Sequence, residues 1–212
     1  MPTTSLSLFD LRPGKLLLGR YQILKPHREG GISSTFAVED EEHEDRRLEL
    51  QAFTGGMFED RKQASEFAER LMLWKALDVA SVLKVHDVQA LDDGSVLLVT
   101  DFPSGMSLRG WMKENTRMEA HEVVSLSREL LSGLVEVHDN DLVHGDIKPA
   151  SIFFHPGGGK GALVDSGITP AMWAAKHLGT RTALIGTPYY APMEQFTGDS
   201  PDELSDLSTC RP

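Results

Sequence analysis

Two carboxylates stand apart in the run LVHGDIKPASIFFHPGGGKGALVDSG, residues 142–167: Asp146 follows His144 and Gly145, and Asp165 follows the small apolar stretch 162–164. A carboxylate in a tight turn can take a proton from an attacking hydroxyl, and Lys148 beside it can face an anionic group in transfer. A second carboxylate at a strand end suits a hard cation such as Mg²⁺, which binds oxygen ligands and bridges phosphate oxygens. One acid for a hydroxyl and one for a metal are what phosphoryl transfer needs. Each acid taken singly also fits a plain turn, in which a short carboxylate accepts from nearby backbone N–H groups. The two together with Lys148 favour chemistry. The glycines at 157–159 with Lys160 and Gly161 do not make a phosphate loop, because no Ser or Thr follows the lysine and the earlier glycine is missing. They read as a hairpin turn.

The elements that must position these residues follow from periodicity. Residues 20–36 and 47–53 carry apolar residues in strand-length runs, separated by the acidic EDEEHEDR, which reads as a solvated hairpin loop. Over residues 62–77, Ala64, Phe67, Ala68, Leu71, Trp74 and Leu77 recur at helical spacing. Strands at 82–88 and 96–102 follow, joined by the turn Asp92-Asp93-Gly94. The second half changes character. A short helix is expected at 108–113 and a long one at 119–139, with Val123, Leu126, Leu130, Leu134 and Val137 along one face. Short strands are expected at 142–143, 152–154 and 162–164. The polar tail TGDSPDELSDLSTCRP has no apolar period and reads as a loop.

Composition sets outer bounds. The chain has 212 residues, 40% hydrophobic and 25% charged, enough to bury a core. With 32 acidic against 21 basic residues the net charge is -11, which disfavours nucleic acid and anionic membranes as partners, so any phosphate must be captured locally. A single cysteine, Cys210, excludes an internal disulfide and suits a reducing compartment. No stretch approaches the roughly 18 to 20 apolar residues of a membrane span, and the first residues lack a signal pattern. A soluble, cytoplasmic chain is expected.

Three motifs in order carry a resemblance. HGDIKPAS at 144–151, DSG at 165–167 and GTPYYAPMEQ at 186–195 resemble the HRDxKxxN, DFG and GTPxYxAPEQ segments of the eukaryotic-like serine/threonine protein kinases, over about residues 20–207. The resemblance implies an α+β, two-lobed protein-kinase-like fold. Its parts are an N-terminal extension at 1–19, a β-rich small lobe at 20–100, an incomplete, mainly helical large lobe at 101–207 and an irregular tail at 208–212. It implies ATP and Mg²⁺ as cofactors, Asp146 as catalytic base, Lys148 facing the transferred phosphoryl group and Asp165 as metal ligand. His144 is then a packed structural residue.

The same resemblance marks departures. Arg28, Gly30 and Ser33 fall at the three glycines of the phosphate-covering loop, and only Gly30 keeps the residue that lets backbone approach phosphate closely. Gln51 stands at the strand lysine; an amide forgoes the charge-assisted part of that bond, of order 1.5–3 kcal/mol. The helix partner of that lysine is Arg70, or Glu69 with a one-residue slip. In LLVTDFPSG, Thr100 falls at the back of the nucleotide pocket, and Asp101 and Pro103 along the adenine hinge, where proline offers no N–H. Ser151 replaces the metal-binding asparagine, and Gly145 the arginine that receives an activation-loop phosphate. Thr180, Thr182 and Thr187 remain as loop hydroxyls, and Glu194 keeps the final acid of the activation segment. Asp206 and Leu207 fall where the family's central large-lobe helix begins, so a truncated large lobe is expected. These departures imply weak Mg-ATP binding and impaired phosphotransfer. The chain is expected to be a kinase homologue acting as a binding or regulatory module, with an active ATP-dependent serine/threonine kinase as the alternative and the protein substrate or partner unspecified.

Overall fold

The alternation in RLELQAF explains the centre of the first sheet. Leu48, Leu50 and Ala52 turn to one face and join Leu17, Tyr21, Ile23, Phe36, Val38, Leu97 and Val99 in a buried core, while Glu49, Gln51 and Phe53 turn to the other. In the computed structural model, which describes residues 6, 11–29, 32–43, 46–158, 160–176 and 189–208, this strand is one of nine. Gly30, Gly159, Thr180, Thr182, Thr187 and Cys210 lie outside the described residues, as does the tail beyond Ser208.

The chain divides into two units, Met1–Lys75 with Lys84–Phe102, and Ala76–Leu83 with Pro103–Pro212. The first holds an antiparallel sheet of order β1-β2-β3-β4-β6-β5: β1 Leu16–Leu17, β2 Tyr21–Glu29, β3 Ser34–Asp40, β4 Arg47–Phe53, β5 Val85–Ala90 and β6 Val96–Asp101. β1 falls within the stretch expected as an extension, and Leu17 is part of the core. β2 carries irregular register between Ile23 and Lys25 and again between Pro26 and Glu29. Helix α1, Arg61–Met72, starts at Asp60, whose side chain accepts from the Gln63 N–H. It buries Phe67 edge-on against Phe53 at 5.0 Å, worth roughly 1.5–3 kcal/mol of apolar transfer. The acidic loop departs from its solvated reading at Asp40, which is buried and held bidentately by Arg20 at 2.7 Å on each oxygen. That guanidinium holds the Asp40 carboxyl well below the usual carboxylate range.

The second unit packs α2 Leu108–Glu114 and α3 Ala120–His138 with a small sheet of β7 Met106–Ser107, β8 Ile152–Phe154 and β9 Gly161–Leu163. Leu126, Leu130 and Leu134 of α3 meet Ile147, Phe154 and Leu163 in its core. Val123, expected on that inner face, is exposed with Val124, Leu131 and Val135. Residues 142–143 are irregular rather than a strand, and α4 Ile168–Ala175 follows the DSG turn. Helix α5 Met193–Thr197 ends where the tail read as loop begins, and that tail holds α6 Glu203–Ser208. The start of α6 is set by a cap, not a period: Asp202 and Ser205 each accept the other's backbone N–H. No helix among the described residues is long and apolar enough to cross a membrane.

Candidate active site

The turn after α3 is built around His144, which is wholly buried. Its Nδ1 accepts from the Asp146 N–H at 3.2 Å, so the opposite nitrogen carries the proton and donates to the Val164 carbonyl at 3.0 Å. Its own carbonyl accepts from Gly167 N–H. Asp165 lies between these two anchors, so one histidine fixes both acid-bearing turns. From behind, the buried Asp206 of α6 accepts from His144 N–H at 2.9 Å, Gly145 N–H at 2.7 Å and His138 Nε2 at 3.0 Å. A carboxylate taking two backbone donors and a histidine ring is well compensated for burial.

Asp146 pairs with the Lys148 ammonium. Burial pushes its carboxyl above the ordinary value, Lys148 opposes that, and the Asp165 charge adds a little to it. Asp165 itself adopts φ 65°, a left-handed conformation that costs a non-glycine residue about 1 kcal/mol and that recurs at functional turns. Gly145 has φ 77°, and a Cβ there would lie 2.5 Å from Pro170 Cδ. Ser151 is buried; its Oγ accepts from Lys148 N–H and faces the carbonyls of Asp146 and Lys148 at 3.0 Å. The hydroxyl is committed to shaping the turn.

In the first unit the positions read as nucleotide contacts converge on a residue the sequence reading passed over. Glu49 on β4 is wholly buried, and its carboxylate takes Arg28 Nε at 2.8 Å and Nη2 at 2.5 Å, His27 Nδ1 at 2.5 Å and Gln51 Nε2 at 3.4 Å. Ser33 Oγ faces Gln51 Oε1 at 3.4 Å. Asp101 turns its carboxylate to His86 at 2.7 Å and Arg46 at 3.4 Å. Glu69 and Arg70 are both exposed on α1. Pro103 is buried and belongs to the second unit.

A family model for the protein kinase domain matches residues 55–208. The chain belongs to the protein kinase domain family. It is similar to the serine/threonine-protein kinase PrkC of Bacillus subtilis, 27% identical over 195 residues that cover 92% of this chain and 29% of that protein. PknL of Mycobacterium tuberculosis is 29% identical over 192 residues, covering 91% of this chain and 47% of PknL. The chain thus spans less than half the length of these curated relatives. Its kinship is with bacterial kinases of eukaryotic-like type. The solved PknI kinase domain of Mycobacterium tuberculosis superposes with TM-score 0.73 over 94% of this chain and 73% of that one at 19% identity, a likeness of fold.

Asp165 brings a carboxylate, the hard oxygen donor that Mg²⁺ takes, so its chemistry is compatible with that metal. In the first unit a buried carboxylate, Glu49, stands beside Arg28 and Gln51, the positions that the resemblance assigns to phosphate contacts, and an anion there is a poor match to a phosphate group. Sequence reasoning missed Asp206, Glu49 and the acceptance by Glu194 of the Ser205 hydroxyl. A signal existed for Glu49, since an acid two residues before Gln51 in an otherwise apolar strand must find a partner on that face.

Proposed function

We propose that this chain is a serine/threonine protein kinase homologue with weak or absent phosphotransfer, working in the cytoplasm as a binding or regulatory module for another protein and holding Mg-ATP weakly. The observation that carries the reading is Gln51. An amide stands at the lysine position, and its donor faces Glu49. Loss of a charge-assisted bond of about 1.5–3 kcal/mol weakens phosphate binding by roughly ten- to a hundredfold. Pro103 adds to this, having no N–H for a base.

The second reading, an active kinase transferring the γ-phosphate to protein hydroxyls, is favoured by the catalytic turn. Asp146 would accept the hydroxyl proton, Lys148 would face the phosphoryl group, Asp165 would hold the metal, and His144 and Asp206 keep both turns in place. Incubating the purified chain with γ-labelled ATP and Mg²⁺, beside Asp146→Asn, decides between them. The expected result is background label in both and a nucleotide-induced melting shift only above millimolar ATP. Label in the parent that the substitution abolishes would make the chain an enzyme.

A further inference from the structure

Strict alternation along a strand sends neighbouring side chains to opposite faces. His27 and Arg28 are neighbours on β2, yet both reach the Glu49 carboxylate. The irregular register between Pro26 and Glu29, where β2 holds one residue more than β3, accounts for this. Arg28 is pinned besides by Thr35, whose hydroxyl accepts from Arg28 N–H at 2.8 Å and faces the Arg28 carbonyl at 2.5 Å.

The same face is closed at the hinge. Three strand spacings separate β2 from β6, about 14 Å in a flat sheet. The ring of Phe102, just past β6, nevertheless stacks on His27 with centroids 4.3 Å apart. The sheet therefore curls until its two sides touch above Glu49, which pairs with Thr100 across β4 and β6. Arg47 also lies over the Phe102 ring, its Cζ 4.9 Å from the centroid. A planar base inserted between the His27 and Phe102 rings would need about 7 Å, two contact distances. Arg28 and Ser33 at the loop, Gln51 at the lysine position and Phe102 beside the hinge are thus all engaged within this unit.

We propose that Glu49 is a built-in anion that takes the place of a nucleotide's phosphates, clasped by Arg28, His27 and Gln51, with the His27–Phe102 stack filling the place of the base. The inference rests on the reading of this chain as a kinase homologue with a weak nucleotide site, and it adds a cause of that weakness to those at Gln51 and Pro103. Removing the carboxylate takes one shared acceptor from a guanidinium, an imidazole and an amide, which together are a donor set for polyphosphate.

The probes are tripolyphosphate and Mg-ADP, titrated calorimetrically against the full chain, Glu49→Ala, Glu49→Gln and the double variant Arg28→Ala with Glu49→Ala. Glu49→Gln keeps the side-chain volume and an acceptor for Arg28, and so serves if Glu49→Ala does not fold. The expected result is no measurable binding by the parent below millimolar ligand, at least tenfold tighter tripolyphosphate binding by either single variant, and loss of that gain in the double variant. Phe102→Ala combined with Glu49→Gln should add affinity for Mg-ADP but not for tripolyphosphate. Micromolar Mg-ADP binding by the parent overturns both this proposal and the weak-site reading. A weakly binding parent with no gain in folded Glu49 variants, or a gain that survives loss of Arg28, overturns this proposal alone.

Discussion

In the transfer role of the second reading Asp146 would carry opposite demands. A proton acceptor must ionise, yet burial favours its neutral form, and Lys148 offsets that only in part. Because its folded value lies above its unfolded one, the folded state holds this proton more tightly. Its ionisation therefore works against folding as pH rises from about 3.9 through the raised value. Asparagine has no such step. The stability of the parent relative to Asp146→Asn should fall across that window and then level off, as read from urea midpoints at a series of pH values; an increasing difference would refute the assignment. Gly145 makes a second case. Restoring the family's arginine there forces a side chain into a left-handed conformation against Pro170, so Gly145→Arg should lose about 1–3 kcal/mol in urea denaturation without gaining activity.

Among elements, α6 positions the site most. Its Asp206 receives the backbone of His144 and Gly145 from 62 and 61 residues away. Asp206→Asn keeps the shape but turns a charged acceptor into an amide, and should cost about 2–4 kcal/mol. Hydrogen exchange at Gly145 should accelerate more than at amides of α3's buried face; uniform acceleration would mean a merely global effect. Legibility in the sequence divides along the same line. β4 and α3 could be read because a buried face imposes a period of 2 or 3.6 on consecutive residues. α6 could not, since a six-residue helix shows less than two turns of pattern and is set by the exchange of bonds between Asp202 and Ser205. Asp146, Lys148 and Asp165 stood out by local spacing. Asp206 and Glu49 did not, because each earns its place through partners distant in sequence, Glu49's principal ones lying on β2.

On the scale of the whole molecule, each unit has its own apolar core, but α3 also presents Val124 at 57% and Val135 at 59% exposure, with Val123 and Leu131 beside them. Such a contiguous stripe is larger than the scattered apolar residues of ordinary surfaces. The chain should bind an apolar-surface dye in its native state. Val124→Glu with Val135→Glu should halve that signal while moving Tm by no more than a degree or two, since no buried contact is lost; a large fall in Tm would place these valines inside a packed interior.

The extra residue in β2 has one more consequence. Deleting the codon for His27 or for Arg28 would return the stretch from Pro26 to Glu29 to regular pleating and take either the imidazole or the guanidinium away from Glu49. The clasp thus hangs on one inserted residue, and a single-codon loss there would leave a buried carboxylate short of donors, a lesion that a sheet so short of slack should register as lost stability.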